Sequence, residues 1–519
     1  MGKGITPLAV GIGLAFAAAI GLGLIASRKR SVHPRPDRLP KRTAIVVLLI
    51  IAGGTFVVQG IHSPLVRDEG VFVVTNFEVA NGNLPYVAAF DNTGPVGPWF
   101  GGAGVALGRL VGLDAVTSAR LTYFPVALVA VAATVALGMR GRLSAVASAA
   151  GGMALMAIPS FSREALSGPR PKLLVLALLV LYLISLHDRR YALSGVLLAL
   201  AILVWQSSFV LIVVPIAAAV WKGHPENLLH SAARFAGGGL VPMALVLAVY
   251  TAAGEMDALI EGFITWNLQI GSSRLPSSPL EAVIDPLKDL WGAHQATWPL
   301  LVVGGFAILP FSRRVFDVPR PVHSRRGPDA IDLITVAFVV LAAWTLIDYQ
   351  GVVDLFPLFP LAAIGIARVA EHMRLRAKGW SAALLTVLVL AGGVDVARTH
   401  DTRLLQQRKD LEALVATGCV VSYGAPVALA IAGQSNPHRF FFEAPGLDEH
   451  LGPAGAMAYL DTLTSENPAF VGGPVNPPGP NLASVVSVVL PDRGYRATAG
   501  RWFEGWLLGD LATSQDGCP

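Results

Sequence analysis

The sequence has few charged residues and few cysteines. Only 14% of its 519 residues are Asp, Glu, Lys or Arg, whereas a soluble protein typically has about 25%. Its two cysteines, Cys419 and Cys518, belong to no Cys-x-x-Cys pattern, and its 11 histidines show no ligand spacing, so no structural metal site is predicted. The scarcity of charge excludes an ordinary soluble protein. Together with a mean hydropathy of +0.59, it predicts an α-helical polytopic membrane protein.

The basic residues lie at the ends of apolar runs. The net charge is only +5, and this placement is typical of membrane topology signals, so nucleic acid is not an expected partner. A run of roughly 20 apolar residues can span a bilayer, and shorter runs can do so inside a bundle. The candidate spans are 6–26, 43–60, 116–138, 143–159, 172–186, 191–205, 207–221, 232–253, 296–312, 330–348, 353–368 and 380–396, which makes about 11 or 12 transmembrane helices.

The basic connecting segments all fall on one side of the membrane in this arrangement, and the positive-inside rule makes that side cytoplasmic. Run 6–26 is followed by "SRKR", which predicts an uncleaved helix with its N-terminus outside. The polar "VWQSS" (204–208) could be a tight outer turn or a break in one long helix. Two helices keep the basic segments on one side and are favoured. The segments predicted outside are 61–115, 160–171, 254–295, 348–353 and everything after about 397.

The segment 398–519 alternates short strand-like and helix-like stretches. It is predicted to be a small extracytoplasmic α/β domain that follows the transmembrane domain 1–397. Both cysteines lie in this segment, where Cys419 and Cys518 could form a disulfide or remain two unpaired thiols. The predicted strands are 419–423, 439–444, 469–475 and 496–508, and the predicted helices are 426–433 and 455–466.

The first outer loop, 61–115, carries an ordered set of motifs. Asp68, Glu69 and Gly70 are followed by an amphipathic run over 71–81, then by "GNLPY" (82–86) and "FDNTGPVGPW" (90–99). This order resembles the GT-C superfamily of integral-membrane glycosyltransferases, in particular the protein O-mannosyltransferase and aminoarabinose-transferase-like enzymes. The positions that match the family's loop pattern are Asp68, Glu69, Gly82, Pro85, Tyr86, Asp91 and Pro95. Taken without the resemblance, the charged cluster could simply end a helix at the membrane interface.

The resemblance implies sugar transfer from a polyprenyl-phosphate donor to an acceptor hydroxyl outside the plasma membrane. Asp68 would be the general base that takes the hydroxyl proton. Glu69 would support it or bind the acceptor. Mannose is the favoured sugar, and arabinofuranose or another pentose for cell-wall glycan synthesis is the alternative. The acceptor would be a protein or a cell-wall glycan, and membrane lipid is the remaining partner.

The loop departs from the family pattern at Thr93, where the family often has a phosphate-binding lysine. Another cation would then contact the leaving phosphate. The candidates are Arg170, Lys172, Arg274 and Arg67, with Arg120 and Arg163 as other outer cations. Arg170 and Lys172 could equally be interface anchors. The substrate-binding candidates are Tyr86, Asp91, Asn92, Thr93, Gln206, Trp266, Asn267, Tyr349 and Gln350. For the polar group at 348–354, solvation of an outer turn is an alternative explanation.

No cofactor is required by these patterns. A divalent cation, Mg²⁺ or Mn²⁺, could be shared by Asp68, Glu69 and Asp91. The glycine-rich segment 101–108 has no preceding strand and no following Lys-Ser/Thr, so it predicts close helix packing rather than a phosphate loop. Two other classes of function remain, a non-catalytic membrane scaffold and a lipid or sugar transporter. A transporter would be expected to show two related halves, which the sequence lacks.

Overall fold

The computed structural model describes residues 41–222, 228–273, 284–288, 298–309, 312, 330–349, 352–376, 403–415, 419–442, 447–465, 468–474, 477, 480–499 and 503–508. Helices dominate these residues, and short strands occur near the C-terminal end. The α-helices are α1 (Lys41–Gly60), α2 (Arg67–Ala80), α3 (Val96–Leu110), α4 (Ala115–Arg140), α5 (Ala145–Met156), α6 (Pro159–Ser167), α7 (Pro171–His187), α8 (Tyr191–Val204), α9 (Val213–Lys222), α10 (Leu228–Ala253), α11 (Met256–Leu259), α12 (Trp266–Ser273), α13 (Trp298–Ile308), α14 (Ala330–Ile347), α15 (Phe359–Arg376), α16 (Leu404–Val415), α17 (Pro426–Ala432), α18 (Leu447–Thr464) and α19 (Pro480–Asp492). Helices of 3₁₀ type cover Gln206–Ile212 and Val352–Leu358, and a π-helical segment covers Ile260–Thr265.

Four helices among the described residues are long and apolar enough to cross a membrane, or five if one bent pair counts as a single span. The four are Ala115–Arg140, Leu229–Ala253, Ala330–Ile347 and Asp354–Met373. Ten of the predicted spans overlap helices in the described residues, several of them short. The predicted spans 6–26 and 380–396 lie outside the described residues. The total number of membrane crossings therefore stays a prediction.

Two predicted spans are interrupted. The span predicted at 143–159 ends as a helix at Met156, and α6 then begins at Pro159 with a bend of 78°. Proline lacks the backbone N–H that continues a helical ladder, and it is well placed at the start of the next helix. In the second case α8 ends at Val204, because Trp205 is extended with φ −149° and ψ 113°. This break agrees with two separate elements rather than one long helix.

The glycines of α3 allow close helix packing, as predicted for segment 101–108. A β-carbon at Gly101 would lie 2.1 Å from the side-chain nitrogen of Asn76 on α2. One at Gly104 would lie 1.7 Å from the hydroxyl oxygen of Thr122 on α4. Both distances are far shorter than any van der Waals contact. Helix α3 is therefore packed tightly between α2 and α4, and this packing holds the first loop against the membrane helices.

The C-terminal segment contains a mixed four-stranded sheet. Its strands are β1 (Val420–Ser422), β2 (Phe470–Gly472), β3 (Tyr495–Ala499) and β4 (Glu504–Leu508), and they lie in the order β1-β2-β4-β3. Strands β1 and β2 are parallel, whereas β4 pairs antiparallel with both β2 and β3. The alternation of helices and strands confirms a small α/β fold.

The strand predicted at 439–444 is wrong over its described residues, 439–442. Its carbonyl groups are bound by scattered partners instead of a neighbouring strand. The Phe90 N–H donates to the Arg439 carbonyl at 2.8 Å, and the Ser422 hydroxyl donates to the Phe441 carbonyl at 2.7 Å. The sequence analysis also missed helix α19.

Cys419 is buried immediately before β1 and is disulfide-bonded. Cys518, the other cysteine of the sequence, lies outside the described residues. The pairing of Cys419 with Cys518, one of the two alternatives that the sequence left open, stays a prediction.

Candidate active site

The two predicted catalytic carboxylates lie in the first turn of α2 but in opposite environments. The side chain of Asp68 is 60% exposed, whereas Glu69 is completely buried. The Val66 N–H donates to Oε2 of Glu69 at 3.1 Å, so Glu69 satisfies a backbone donor at the helix N-terminus. Of the two side chains, Asp68 is therefore the one that a substrate can reach.

Arg170 connects Asp68 to the start of α7. Its guanidinium donates to Oδ2 of Asp68 at 3.0 Å and also to Glu164 of α6. Its side chain is only 9% exposed. Burial alone would lower the pKa of Arg170, but the carboxylates of Glu164, Glu69 and Asp68 raise it above the ordinary arginine value. Arg170 is thus a fixed cation that orients the accessible carboxylate.

The Glu69 side chain is enclosed by other residues of the protein and does not face solvent. The Ser167 hydroxyl donates to its Oε1 at 3.1 Å. Burial raises the pKa of Glu69, and Glu164 raises it further, against the opposing effects of Arg170 and two other arginines. These contacts support the expectation of a supporting role for Glu69. They leave it no free face for an acceptor.

Lys172, two residues after Arg170, forms an ion pair with Asp354, and each side chain is 9% exposed. The Lys172 ammonium also lies 3.8 Å from the ring centre of Trp205, within cation–π distance. The pair borders a groove of about 480 Å³, part of which is open to solvent. The indole N–H of Trp344 is buried at this groove and has no hydrogen-bond partner among the described residues. The groove is lined by Lys172, Val175, Trp205, Ser207, Ser208, Leu211, Leu341, Trp344, Thr345, Asp348, Asp354 and Pro357.

The loop after α2 is held by side chains from distant parts of the chain. The side-chain amides of Gln206 and Asn267 both donate to the Asn92 carbonyl, at 3.2 and 3.0 Å. The Tyr86 hydroxyl donates to the Thr93 carbonyl. The structure thus brings together five of the predicted substrate-binding residues, but the contacts that it shows for them are contacts within the protein.

Asp91 and Thr93 bind each other. Both are 1% exposed, and Asp91 accepts from the Thr93 N–H at 2.9 Å and from the Thr93 hydroxyl at 2.7 Å. Burial raises the pKa of Asp91 to about 6; the Thr93 hydrogen bonds oppose this rise, and the charge of Asp68 adds to it. At this position threonine therefore stabilises the loop and, in contrast to the lysine of the family pattern, contacts a carboxylate.

The other predicted residues have varied positions. Arg120 is completely buried and donates to the carbonyls of Ile61, Ser63 and Ser167, so it is structural. Arg163 is exposed on α6, one helical turn before Ser167, and Arg67 is exposed at the start of α2. Trp266 is 3% exposed and packs against the ring of Phe90. Tyr349 is half-buried. Arg274 and Gln350 lie outside the described residues.

Sequence reasoning missed Glu164 and Ser167 as members of this site. Their segment, "SREALSGPRPK" (162–172), was noticed only for its basic residues. Glu164 is an acidic residue beside Arg163 and near Arg170 in a short connection between apolar runs. Because buried ionisable groups near a membrane are usually paired, Glu164 could have been proposed as the partner of Arg170.

Among the residues that the structure describes, no group of three or more His, Cys, Asp or Glu side chains is arranged to hold a metal ion. Asp68, Glu69 and Asp91 therefore do not form the shared divalent-cation site that the sequence left open. Glu69 and Asp91 are already bound by hydrogen bonds from the protein.

No family model and no curated protein matches the sequence, but solved structures resemble its fold. ArnT from Cupriavidus metallidurans in the apo state has a TM-score of 0.56 and 12% identity; the match covers 92% of this chain and 100% of ArnT. The oligosaccharyltransferase AglB from Archaeoglobus fulgidus, in complex with an inhibitory peptide and a dolichol-phosphate, has a TM-score of 0.51 and 11% identity, with 92% and 75% covered. The S. cerevisiae protein O-mannosyltransferase Pmt1-Pmt2 complex has 13% identity, with 46% of this chain and 35% of that chain covered, but its TM-score of 0.35 is too low to support a conclusion.

These likenesses, at 11 and 12% identity, concern the fold. They show that this chain shares its fold with ArnT and AglB, which agrees with the fold expected from the resemblance of the first loop.

Proposed function

We propose that this protein is a membrane glycosyltransferase that moves a sugar from a polyprenyl-phosphate donor to an acceptor hydroxyl. The observation that carries the proposal is the environment of Asp68. It is an exposed carboxylate at the start of α2, held at 3.0 Å by a buried arginine, in a chain with the GT-C fold. A general base must reach the proton that it removes, and among the carboxylates of this cluster Asp68 is the exposed one.

The chemistry assigns Asp68 one proton transfer. Its carboxylate takes the proton from the acceptor hydroxyl while the hydroxyl oxygen forms a bond to the anomeric carbon of the donor. The bond between that carbon and the phosphate oxygen breaks, and the polyprenyl phosphate leaves with the electron pair. Arg170 orients the carboxylate, since its guanidinium is fixed by Glu164 on the other side.

The groove beside Lys172 is the proposed location of the donor's phosphate end. Its lining combines a buried cation with apolar side chains and two tryptophans, which suits a charged headgroup attached to an apolar chain. Lys172 lies two residues from Arg170, so this groove and Asp68 adjoin the same end of α7. A phosphate that binds Lys172 would compete with Asp354, the present partner of that lysine.

The proposal extends in three further respects. Mannose is the favoured sugar, and a pentose such as arabinofuranose is the alternative. The acceptor is a protein or a cell-wall glycan. The site and the C-terminal segment face the outside of the plasma membrane.

The test is sugar transfer by the purified protein in nanodiscs, with a panel of labelled polyprenyl-phosphate sugars. We expect the wild type to transfer or hydrolyse one of them and Asp68→Asn to lose that activity. Glu69→Gln should lose far less, because Glu69 is buried and already hydrogen-bonded. A folded Asp68→Asn variant with wild-type turnover would exclude Asp68 as the base. Tight donor binding without any turnover would favour the non-catalytic scaffold.

A further inference from the structure

The C-terminal segment contacts the beginning of α2, three residues before Asp68. The Leu65 N–H donates to Oε1 of Gln407 on α16 at 2.9 Å, and Nε2 of Gln407 donates to the Leu65 carbonyl at 3.1 Å. Gln407 is 1% exposed. The neighbouring Leu404 N–H donates to the His62 carbonyl at 3.1 Å. Helix α16 therefore packs along the segment 62–65, which leads into α2.

The two hydrogen bonds of Gln407 satisfy backbone groups that have no helical partner. Leu65 precedes the helix, so both its N–H and its carbonyl must be bound from outside the ladder. A primary amide has both N–H donors and a carbonyl acceptor, so it can pair with a residue as a neighbouring strand would. The next N–H, that of Val66, is bound by Glu69. Gln407 and Glu69 together fix the backbone immediately before Asp68.

A second contact lies on the other side of Asp68. A β-carbon at Gly70 would be 2.7 Å from the Val427 amide nitrogen and 2.9 Å from the Pro426 carbonyl carbon. The backbone of α2 thus touches the first turn of α17, and a side chain at position 70 would force them apart. Apolar residues of α2 and of the C-terminal segment belong to one continuous hydrophobic cluster.

A third contact reaches the loop beside Asp91. The Phe90 N–H donates to the Arg439 carbonyl at 2.8 Å. The ring of Phe90 lies 4.9 Å from that of Phe440 and 4.6 Å from that of Trp266, measured between ring centres. The C-terminal segment therefore holds both parts of the first loop that carry acidic site residues.

We propose that Gln407 is a positioning residue for the proposed sugar transfer, and that the C-terminal segment helps to build the active site by fixing the start of α2. The inference rests on the proposed role of Asp68. Gln407 acts through the backbone of Leu65 and does not touch substrate. Misplacement of a reacting group by about 1 Å can cost about 100-fold in rate.

Gln407→Met is the main test, because methionine has a similar length but can form neither hydrogen bond. In folded, full-length protein we expect kcat to fall about 10-fold to 100-fold. The KM for the lipid-linked donor should stay unchanged, since the groove beside Lys172 is not altered. Gln406→Met is the matched control, because Gln406 is the preceding residue on α16 and its side chain is exposed and donates to Asp410. It should keep wild-type kcat.

A double-mutant cycle separates positioning from a merely structural role. If Gln407 acts through Asp68, Gln407→Met should reduce the residual activity of Asp68→Asn by less than about twofold. Losses that multiply in the double variant would overturn the inference. Wild-type kcat in folded Gln407→Met would also overturn it.

Two further measurements keep the test decisive. Should Gln407→Met fail to fold, Gln407→Glu keeps the oxygen that accepts from the Leu65 N–H but places an acceptor oxygen, in place of the donor, against the Leu65 carbonyl. A loss of kcat in this folded variant supports positioning, and an unchanged kcat contradicts it. Hydrogen exchange at the amides of Leu65 and the first turn of α2 can be measured without a sugar donor. Faster exchange in Gln407→Met supports the contact even if the wild type transfers no sugar, and unchanged exchange refutes it.

Discussion

The two ends of α7 carry ion pairs of opposite character. At its N-terminal end, Arg170 and Lys172 are 9% exposed, and they pair with Glu164, Asp68 and Asp354. At its C-terminal end, Asp188 pairs with Arg140 at 2.9 Å, and the two side chains are 27% and 34% exposed. Exposed pairs are easily formed and contribute little, whereas burying each charge costs several kcal/mol before its partner compensates.

The comparison supports our proposal that the N-terminal end of α7 is the functional one. A helix can end without buried cations, since the C-terminal end of α7 carries the more exposed pair of Asp188 with Arg140. Buried ionisable groups at the edge of membrane helices usually line a site or a pathway. The following predictions test this contrast, from the largest expected effect to the smallest.

Replacing the accessible aspartate at each end should give the largest contrast. Asp68→Asn should reduce kcat for sugar transfer by about 10²-fold to 10⁴-fold, the range typical of a general base. Asp188→Asn removes an arginine-bound aspartate of the same type and should leave kcat unchanged. Turnover of the labelled donor measures both. Equal losses in the two variants would mean that the contrast reflects folding and not chemistry.

Removing the arginine should separate the two ends in stability. Arg170→Met leaves buried Glu164 and Glu69 without their main cation and should lower the free energy of unfolding by about 3–5 kcal/mol. Arg140→Met breaks a more exposed pair and a long hydrogen bond to the Ala136 carbonyl, and it should cost at most about 1 kcal/mol. Denaturation of the purified variants in detergent, followed by tryptophan fluorescence, measures the difference. A cost below 1 kcal/mol for Arg170→Met would contradict the importance of its burial.

Removing the groove cation should weaken donor binding. Lys172→Met should raise the Kd for the lipid-phosphate donor about tenfold, equivalent to about 1.4 kcal/mol, with a smaller effect on kcat. Lys288 is a suitable control, because its bond to Asp285 is exposed, and Lys288→Met should bind as the wild type does. Equilibrium binding in nanodiscs gives both constants. An unchanged Kd for Lys172→Met would contradict the proposed binding of the donor phosphate in this groove.

The smallest effect concerns pH and Asp91. Its pKa is raised from 3.8 to about 6 by burial, so the folded state binds more protons than the unfolded state between these values. Stability from this group is therefore present at low pH and is lost as pH rises through 6, by about 1 kcal/mol between pH 5 and pH 7.

Asp91→Asn does not titrate and can keep a bond to Thr93, so its stability should change less over this range. Thermal unfolding of wild type and variant at both pH values measures the difference. Parallel pH profiles would show that Asp91 does not carry this dependence.

Much of the fold could be predicted, because it depends on local properties of the sequence. Apolar length predicts membrane helices whatever their partners are, and small residues at 101–108 predict close packing. The strand predicted at 439–444 failed for a tertiary reason. "RFFF" (439–442) has the composition of a strand, but the carbonyl groups of Arg439 and Phe441 are bound by Phe90 and Ser422, which are distant in sequence. No local sequence pattern predicts such partners.

The site divides in the same way. The sequence by itself determined that Asp68 follows an apolar run and begins a helix, and that basic residues cluster near the start of α7. It could not decide that Glu69 is buried while Asp68 is exposed, because adjacent residues of a helix differ in burial only through what packs against them. The tertiary structure decided that Arg170 is held by Glu164 and that Gln407, 342 positions from Leu65, holds the start of α2. Hydrogen bonds and ion pairs act over a few ångströms, so their partners are set by packing and not by distance along the chain.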